Sequence, residues 1–169
     1  MKASCFWLTG LSASGKTTLA CMLNNILIEK NYRTILLDGD QLRSIFNHNK
    51  YDRENRIKYG YCYSRLCKFL VDQNINVIIG IVGLFHELQE WNIKNISGYK
   101  EIFLDVPFSE LVKRDPKGLY RKFKNGKLDN FFGGSIMPEF PKKPLVHIKW
   151  EENEDENKTF KKICKSLNL

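Results

Sequence analysis

Near its amino terminus the chain reads Gly10-Leu11-Ser12-Ala13-Ser14-Gly15-Lys16-Thr17-Thr18. Residues of these types at this spacing make an anion cradle. The glycines let successive backbone N–H groups turn inward, and a following helix presents its positive end. The lysine then spans the β- and γ-phosphates. Thr17 places a hydroxyl where a phosphate-bound Mg²⁺ would sit. The segment is expected to bind a nucleoside triphosphate. Further on, Asp38-Gly39-Asp40 closes a short apolar stretch. A carboxylate at that edge can orient or deprotonate an acceptor hydroxyl, or hold Mg²⁺ through water. Aspartates before a helix can equally serve as its caps. Gly80-Ile81-Val82-Gly83-Leu84 follows the next apolar run and carries no acid. A mechanical ATPase or GTPase would usually place a metal-organising aspartate there, so small phosphotransferases are favoured.

These residues need strands and helices to hold them. Cys5–Leu8 reads as a buried strand running into the glycine loop. Thr17–Lys30 is amphipathic, with Leu19, Met22, Leu23, Ile26 and Leu27 on one helical face. A second strand, Thr34–Leu37, delivers Asp38, and a short helix covers Gln41–Asn47. A long helix spans Asp52–Gln73, with a break or bend expected near Gly60. Val77–Val82 is continuously apolar, as in a parallel strand covered on both faces. Phe85–Trp91 is helical. Glu101–Val106 is a strand stopped by Pro107, and Ser109 is expected to cap a helix through Arg114. Residues 117–144, rich in Gly, Pro and Lys, lack periodicity and read as a mobile segment over a site. Leu145–Trp150 makes a fifth strand and Asn157–Leu169 a closing helix. This alternation predicts an α/β fold of three layers around a mainly parallel five-stranded sheet, in a single domain spanning 1–169.

The 169 residues include 27 Lys+Arg and 19 Asp+Glu, a formal charge of +8, with 43% apolar and 27% charged residues. That composition excludes a disordered chain. The longest apolar run, Val77–Phe85, is far short of the roughly 20 residues of a membrane helix. No signal segment opens the chain, so no membrane partner and a cytoplasmic location are expected. Five scattered cysteines without a CxxC pair read as reduced, mostly buried thiols. Residues 111–149 hold ten Lys/Arg against Asp115, Asp129 and Glu139, and an acidic run at 151–156 follows. Such a segment suits phosphates, whether of nucleic acid or of small nucleotides. The chain lacks the aromatic–basic interleaving of a nucleic-acid binder, so no nucleic-acid partner is expected. His48 and His147 have no partner evident in sequence, and the tryptophans read as packing residues.

Three motifs together carry a family resemblance. Phe6-Trp7-Leu8-Thr9-Gly10-Leu11-Ser12 leads into Gly15-Lys16-Thr17-Thr18-Leu19-Ala20. Leu37-Asp38-Gly39-Asp40 with Arg43 follows, and then Arg114-Asp115-Pro116-Lys117-Gly118-Leu119-Tyr120. Over about residues 4–148 the chain resembles adenylyl-sulfate kinase. The resemblance implies a P-loop kinase fold with a lid, and transfer of the ATP γ-phosphate to the ribose 3′-hydroxyl of a small nucleotide, with Mg²⁺. Family members often form dimers, which leaves a homodimer open for this chain, whose oligomeric state the sequence does not fix. The resemblance also implies ATP contacts from Gly10, Ser12, Ser14, Gly15, Lys16, Thr17, Thr18 and Arg114. It makes Asp38 the base, with Lys16 and Asp40 beside it in catalysis, and Thr17 and Asp40 on the metal. Arg43, Arg56, Lys117 and Leu119 would face the acceptor, with Phe131 stacking on its base.

Three departures fall on the acceptor side. The family's Arg-x-x-Asn becomes Arg56 followed by Tyr59. Its Ile-Ser-Pro becomes Ile81-Val82-Gly83, leading to His86. Its Phe-Thr-Gly-Ile-Asp becomes Phe131-Phe132-Gly133-Gly134-Ser135. A pocket that loses its hydrogen-bonding partners rejects the old ligand strongly. The expectation is therefore a conserved reaction with a changed acceptor, in which Tyr59, Ile81 and His86 join the substrate contacts. The chain looks like a short, divergent branch of the family, in which one known activity is 3′-phosphorylation of cytidine diphosphoramidate. Adenylyl sulfate is the alternative acceptor. A non-catalytic nucleotide- or nucleic-acid-binding module is the more distant reading.

Overall fold

The computed structural model describes residues 2–169. Five strands, β1 (Cys5–Thr9), β2 (Thr34–Asp38), β3 (Asn76–Gly80), β4 (Tyr99–Asp105) and β5 (Val146–Lys149), alternate with seven helices. These helices are α1 (Lys16–Glu29), α2 (Gly39–Ile45), α3 (Arg53–Asp72), α4 (His86–Asn95), α5 (Phe108–Arg114), α6 (Leu119–Lys124) and α7 (Glu156–Leu167). The sheet runs β2-β3-β1-β4-β5 and every pair is parallel. This is the three-layer α/β arrangement that the alternation predicts.

β1 is central and all five of its residues are buried. Its side chains alternate between two cores because successive strand residues face opposite ways. Phe6 and Leu8 join Leu19, Leu23 and Leu27 of α1 and Ile163 of α7 on one face. Cys5 and Trp7 join Leu42, Tyr63, Cys67 and Val71 on the other. Each large side chain so buried contributes about 1.5–3 kcal/mol. Chain order reverses beside β1, and ligands of open α/β sheets collect in the crevice at such a point, outside the carboxyl ends of the strands. The glycine loop leaves β1 there, and Asp38 ends β2 on the same edge.

Four sequence expectations change. α3 runs unbroken through Gly60, because that glycine serves packing: a Cβ there would lie 2.3 Å from Leu88 Cδ1 of α4. Ser109 caps nothing. α5 begins one residue earlier behind Pro107, whose φ of −56° already suits a helix start. Residues 117–144 are not a bare loop, since they form α6 and supply Tyr120, Phe131, Phe132 and Ile136 to a third core cluster with Leu11, Leu84 and Phe85. Their lack of period reflects a tight turn, in which the N–H groups of Gly134 and Ile136 both donate to Phe131 O. Finally, the cysteines are all free thiols, as expected, but only Cys5 and Cys67 are buried. Among the described residues, no helix is long and apolar enough to cross a membrane.

Candidate active site

The loop between β1 and α1 is bent by two left-handed glycines, Gly10 (φ +153°) and Gly15 (φ +94°). At Gly10 a side chain is also excluded by space, for a Cβ would lie 2.7 Å from Leu104 O and 2.8 Å from Ser14 Oγ. Gly15 leaves the first turn of α1 without a side-chain cap. Its N–H groups are therefore free for an anion. Lys16 Nζ folds inward, donating to Leu11 O at 2.6 Å and Ser14 Oγ at 3.3 Å. Burial of that ammonium pulls its pKa down to about 7, with repulsion from Lys117 and Arg43 adding to the effect and Asp38 opposing it. Three cations, Lys16, Arg43 and Lys117, thus converge beside the loop, the electrostatic pattern of a phosphate site.

Two groups from the far end of the chain reach this loop. Arg114, held by Glu110 at 2.9 Å, brings Nη1 to 3.5 Å from Ala13 O. Tyr120 donates its hydroxyl to Ser12 O at 2.8 Å. Sequence reasoning passed over Tyr120, although it directly follows Leu119 in the quoted motif. Beside the loop lies a cleft of about 420 Å³, lined by Gly15, Thr18, Arg114, Trp150, Glu154 and Thr159 among others. Trp150 is thus a cleft wall as well as a packing residue.

Asp38 serves two neighbours at once. Its Oδ1 accepts from the N–H groups of Asp40 (2.8 Å) and Gln41 (3.4 Å), capping α2. Its Oδ2 accepts from Thr17 Oγ1 at 3.2 Å. The capping reading and the site reading are therefore both satisfied by one carboxylate. Asp40, in the first turn of α2, is ion-paired with Arg43 and with Lys117 from the α5–α6 connection. Lys16, Thr17, Asp38, Asp40, Arg43 and Lys117, drawn from four parts of the chain, thus form one contiguous polar site.

On the outer side of this group, Arg56 donates from Nε to Tyr51 O (2.5 Å) and from Nη2 to Asn130 O (2.8 Å). Its guanidinium lies over two rings, Tyr51 at 5.4 Å and Phe132 at 4.9 Å. Burial and the Arg43 charge push its pKa down to about 10. Phe131 differs from expectation: it is 6% exposed and its ring packs against Tyr120 and Phe123 in the core. The aromatic that meets Arg56 is Phe132, itself buried at 4% exposure in the same cluster. Tyr59 likewise stacks on His48 at 3.8 Å instead of standing free. Ile81 is buried beside Gly39, and Leu119 packs as the first residue of α6.

His86 is engaged within the chain. Its Nε2 is 2.9 Å from Phe140 O, and its N–H donates to Glu139 Oε2 at 2.8 Å. Glu139 also receives Arg53 Nη2 at 2.8 Å, while its own N–H and C=O pair with Leu84 O and Gln89 Nε2. This carboxylate supplies the cap that α4 lacks from Phe85, its own N-cap residue. No sequence spacing links residues 53, 86 and 139, so the strap was invisible there. Replacing Glu139 with alanine is expected to cost about 1–2 kcal/mol, the worth of a helix cap plus an exposed ion pair. Urea unfolding measures it, and an unchanged midpoint would show the strap to be idle.

The donors fit a Mg²⁺ that arrives with a nucleotide. Thr17 and Asp38 offer hard oxygens side by side at the mouth of the phosphate loop. Among the described residues no cluster of three His, Cys, Asp or Glu side chains forms a dedicated metal cage. Mg²⁺ characteristically takes one or two protein oxygens, the substrate phosphates and water.

Comparison with known proteins agrees with this geometry. Residues 2–149 match the family model described as adenylylsulphate kinase. A cytidine diphosphoramidate kinase of Campylobacter jejuni is 41% identical over 140 residues, covering 83% of this chain and 82% of its own. An adenylyl-sulfate kinase of Pseudomonas aeruginosa is 37% identical, covering 84% and 74%. Among solved structures, the Mycobacterium tuberculosis APS kinase CysC in complex with AMPPNP and APS superposes with a TM-score of 0.90 at 26% identity, over 99% of both chains.

Proposed function

The chain belongs to the adenylylsulphate kinase family, and on that premise we propose that it transfers the γ-phosphate of ATP to the ribose 3′-hydroxyl of cytidine diphosphoramidate. The observation that carries the reaction is the contact of Thr17, in the phosphate loop, with Asp38, across from the Asp40–Arg43–Lys117 cluster. Triphosphate and acceptor hydroxyl would meet at that seam. The relative at 41% identity, named for the cytidine compound, supports the choice of acceptor, as do the departures at Tyr59, Val82 and Phe132.

In this reading Lys16 and the N–H groups at the start of α1 hold the β- and γ-phosphates. Thr17 would hold Mg²⁺ and Asp40 would help to organise it, and the ion when bound neutralises phosphate charge, which leaves Asp38 free to act as the base. Asp38 takes the 3′-hydroxyl proton as the new O–P bond forms and the bond to the β-phosphate breaks, so that ADP leaves. Arg114 closes on the phosphates from the lid side. Arg43, Arg56 and Lys117 hold the acceptor's own phosphate groups, and the exposed ring of Tyr51 offers a flat face for its base. The cleft bordered by Arg114 and Trp150 takes the donor nucleoside. Such an enzyme would work in the cytoplasm, where its nucleotides are found.

Adenylyl sulfate is the second reading, favoured by the relative at 37% identity and by the structure solved with APS. A side-by-side assay separates them. Higher kcat/KM with cytidine diphosphoramidate is expected. Higher kcat/KM with adenylyl sulfate would reject the proposed acceptor, and transfer to neither would reject the kinase reading.

A further inference from the structure

The connection from α2 to α3, residues 46–52, carries Tyr51, whose ring is 43% exposed and meets the Arg56 guanidinium. In the middle of this connection sits a histidine that is only 6% exposed. His48 donates its backbone N–H to Arg43 O at 2.8 Å, just after Asn47 turns the chain with φ +50°. Its ring lies flat on Tyr59, with centroids 3.8 Å apart and planes 18° apart. Its other face looks toward Tyr51, at 5.5 Å and 23°. Nδ1 is 3.3 Å from the Tyr63 hydroxyl. Tyr59 and Tyr63 stand four apart on α3, so one helix face offers both the stacking surface and the hydrogen bond.

The rings continue beyond Tyr51. Arg56 lies between Tyr51 and Phe132, and Phe132 packs on Phe85 at 5.1 Å. A column therefore runs from the core at Tyr59, through His48 and Tyr51, to the guanidinium. Tyr51, 43% exposed, is otherwise held by its carbonyl, which accepts from Arg56 Nε. Burial is the main influence that lowers the pKa of His48, opposed by the Lys50 backbone and by Asp52, with Arg43 and Arg56 repelling a proton as well.

We propose that His48 is a positioning residue for the acceptor pocket: stacked on Tyr59 and tied to Tyr63, it sets the place of Tyr51 and, through Tyr51, of the Arg56 guanidinium. The inference rests on the reading that Arg56 faces the acceptor. It gives Tyr59, the residue that departs from the family pattern, a supporting task behind His48.

The test compares His48→Ala and His48→Phe with the wild type, using whichever of the two acceptors the wild type phosphorylates. Alanine removes the stack. The acceptor KM should rise roughly tenfold or more, as expected for a misplaced binding group, while kcat and the KM for ATP stay within about threefold. Phenylalanine keeps a flat ring on Tyr59 and should bring the acceptor KM most of the way back. Hydrogen exchange of the amides in 46–52 provides a readout that needs no acceptor, and it should quicken in the alanine variant and recover in the phenylalanine variant. An unchanged acceptor KM, or a fall in kcat and in Tm without a selective rise in acceptor KM, would overturn the proposal. If the wild type phosphorylates neither acceptor, the kinase reading falls by itself, and unchanged exchange would then overturn the anchoring role separately.

Discussion

Replacing Asp38 with asparagine lowers turnover by roughly two to four orders of magnitude, the usual contribution of a positioned general base. Two features of the site make this substitution informative. Asparagine is as good a helix cap as aspartate, so its side-chain oxygen can still accept the Asp40 and Gln41 N–H groups that Oδ1 now holds. The start of α2, and with it Arg43, should stay in place. Only the second oxygen, 3.2 Å from Thr17 Oγ1, is exchanged for a group that cannot take a proton. Lys16 and the α1 N-terminus are untouched, so ATP should still bind, with a Kd changed far less than kcat. Equilibrium binding of ATP measured beside single-turnover phosphate transfer checks both halves. Turnover near that of the wild type would remove Asp38 as the base. Asp40 would be the next candidate, although Arg43 and Lys117 already engage its carboxylate.

The second large effect is on stability, far from the phosphates. Glu101 of β4 is 5% exposed on the sheet face that also carries Trp7, and it accepts from the Tyr99 hydroxyl at 3.1 Å. Burial lifts its pKa from 4.5 to about 7, against smaller opposing effects from that hydrogen bond and from His86. Folding therefore favours the protonated acid. Its contribution is complete below about pH 4.5, drains away as the pH climbs toward 7, and is absent above. Across that window the folded protein should lose about 3 kcal/mol from this group alone. Glu101→Gln keeps the shape and the Tyr99 hydrogen bond but cannot ionise. It should match the wild type near pH 4.5 and exceed it by about 2–3 kcal/mol at pH 8. Denaturant unfolding at several pH values tests this, and parallel stability curves for the two proteins would refute it.

The legible part of this protein was local. Gly10, Gly15, Lys16 and Thr17 act through backbone conformation and through their place between a strand and a helix, and both are written in a short run of sequence. The alternation of apolar strands with amphipathic helices is local too, which is why the parallel three-layer sheet could be read in advance. Asp38 ends β2, and Asp40 follows in the first turn of α2, on the sheet edge where ligands gather, so both stand out in the sequence.

The acceptor side was less legible because its parts meet only through tertiary packing. Gly60 looked like a break until Leu88 of another helix was seen to need the space. Phe131 and Phe132 are adjacent, chemically alike and both buried, and only the tertiary structure shows that Phe132 is the one whose ring lies under Arg56. Glu139 gains its purpose from Arg53 and His86, each more than 50 positions away. His48 looked idle without Tyr59 and Tyr63 beneath it. Sequence by itself determined the alternating α/β fold and a glycine loop with Lys16 and Thr17 facing an aspartate pair, since short-range backbone geometry and charge suffice for that. Tertiary structure alone decided which rings stack on Arg56 and on His48, because stacking and burial depend on what distant segments bring to the opposite face.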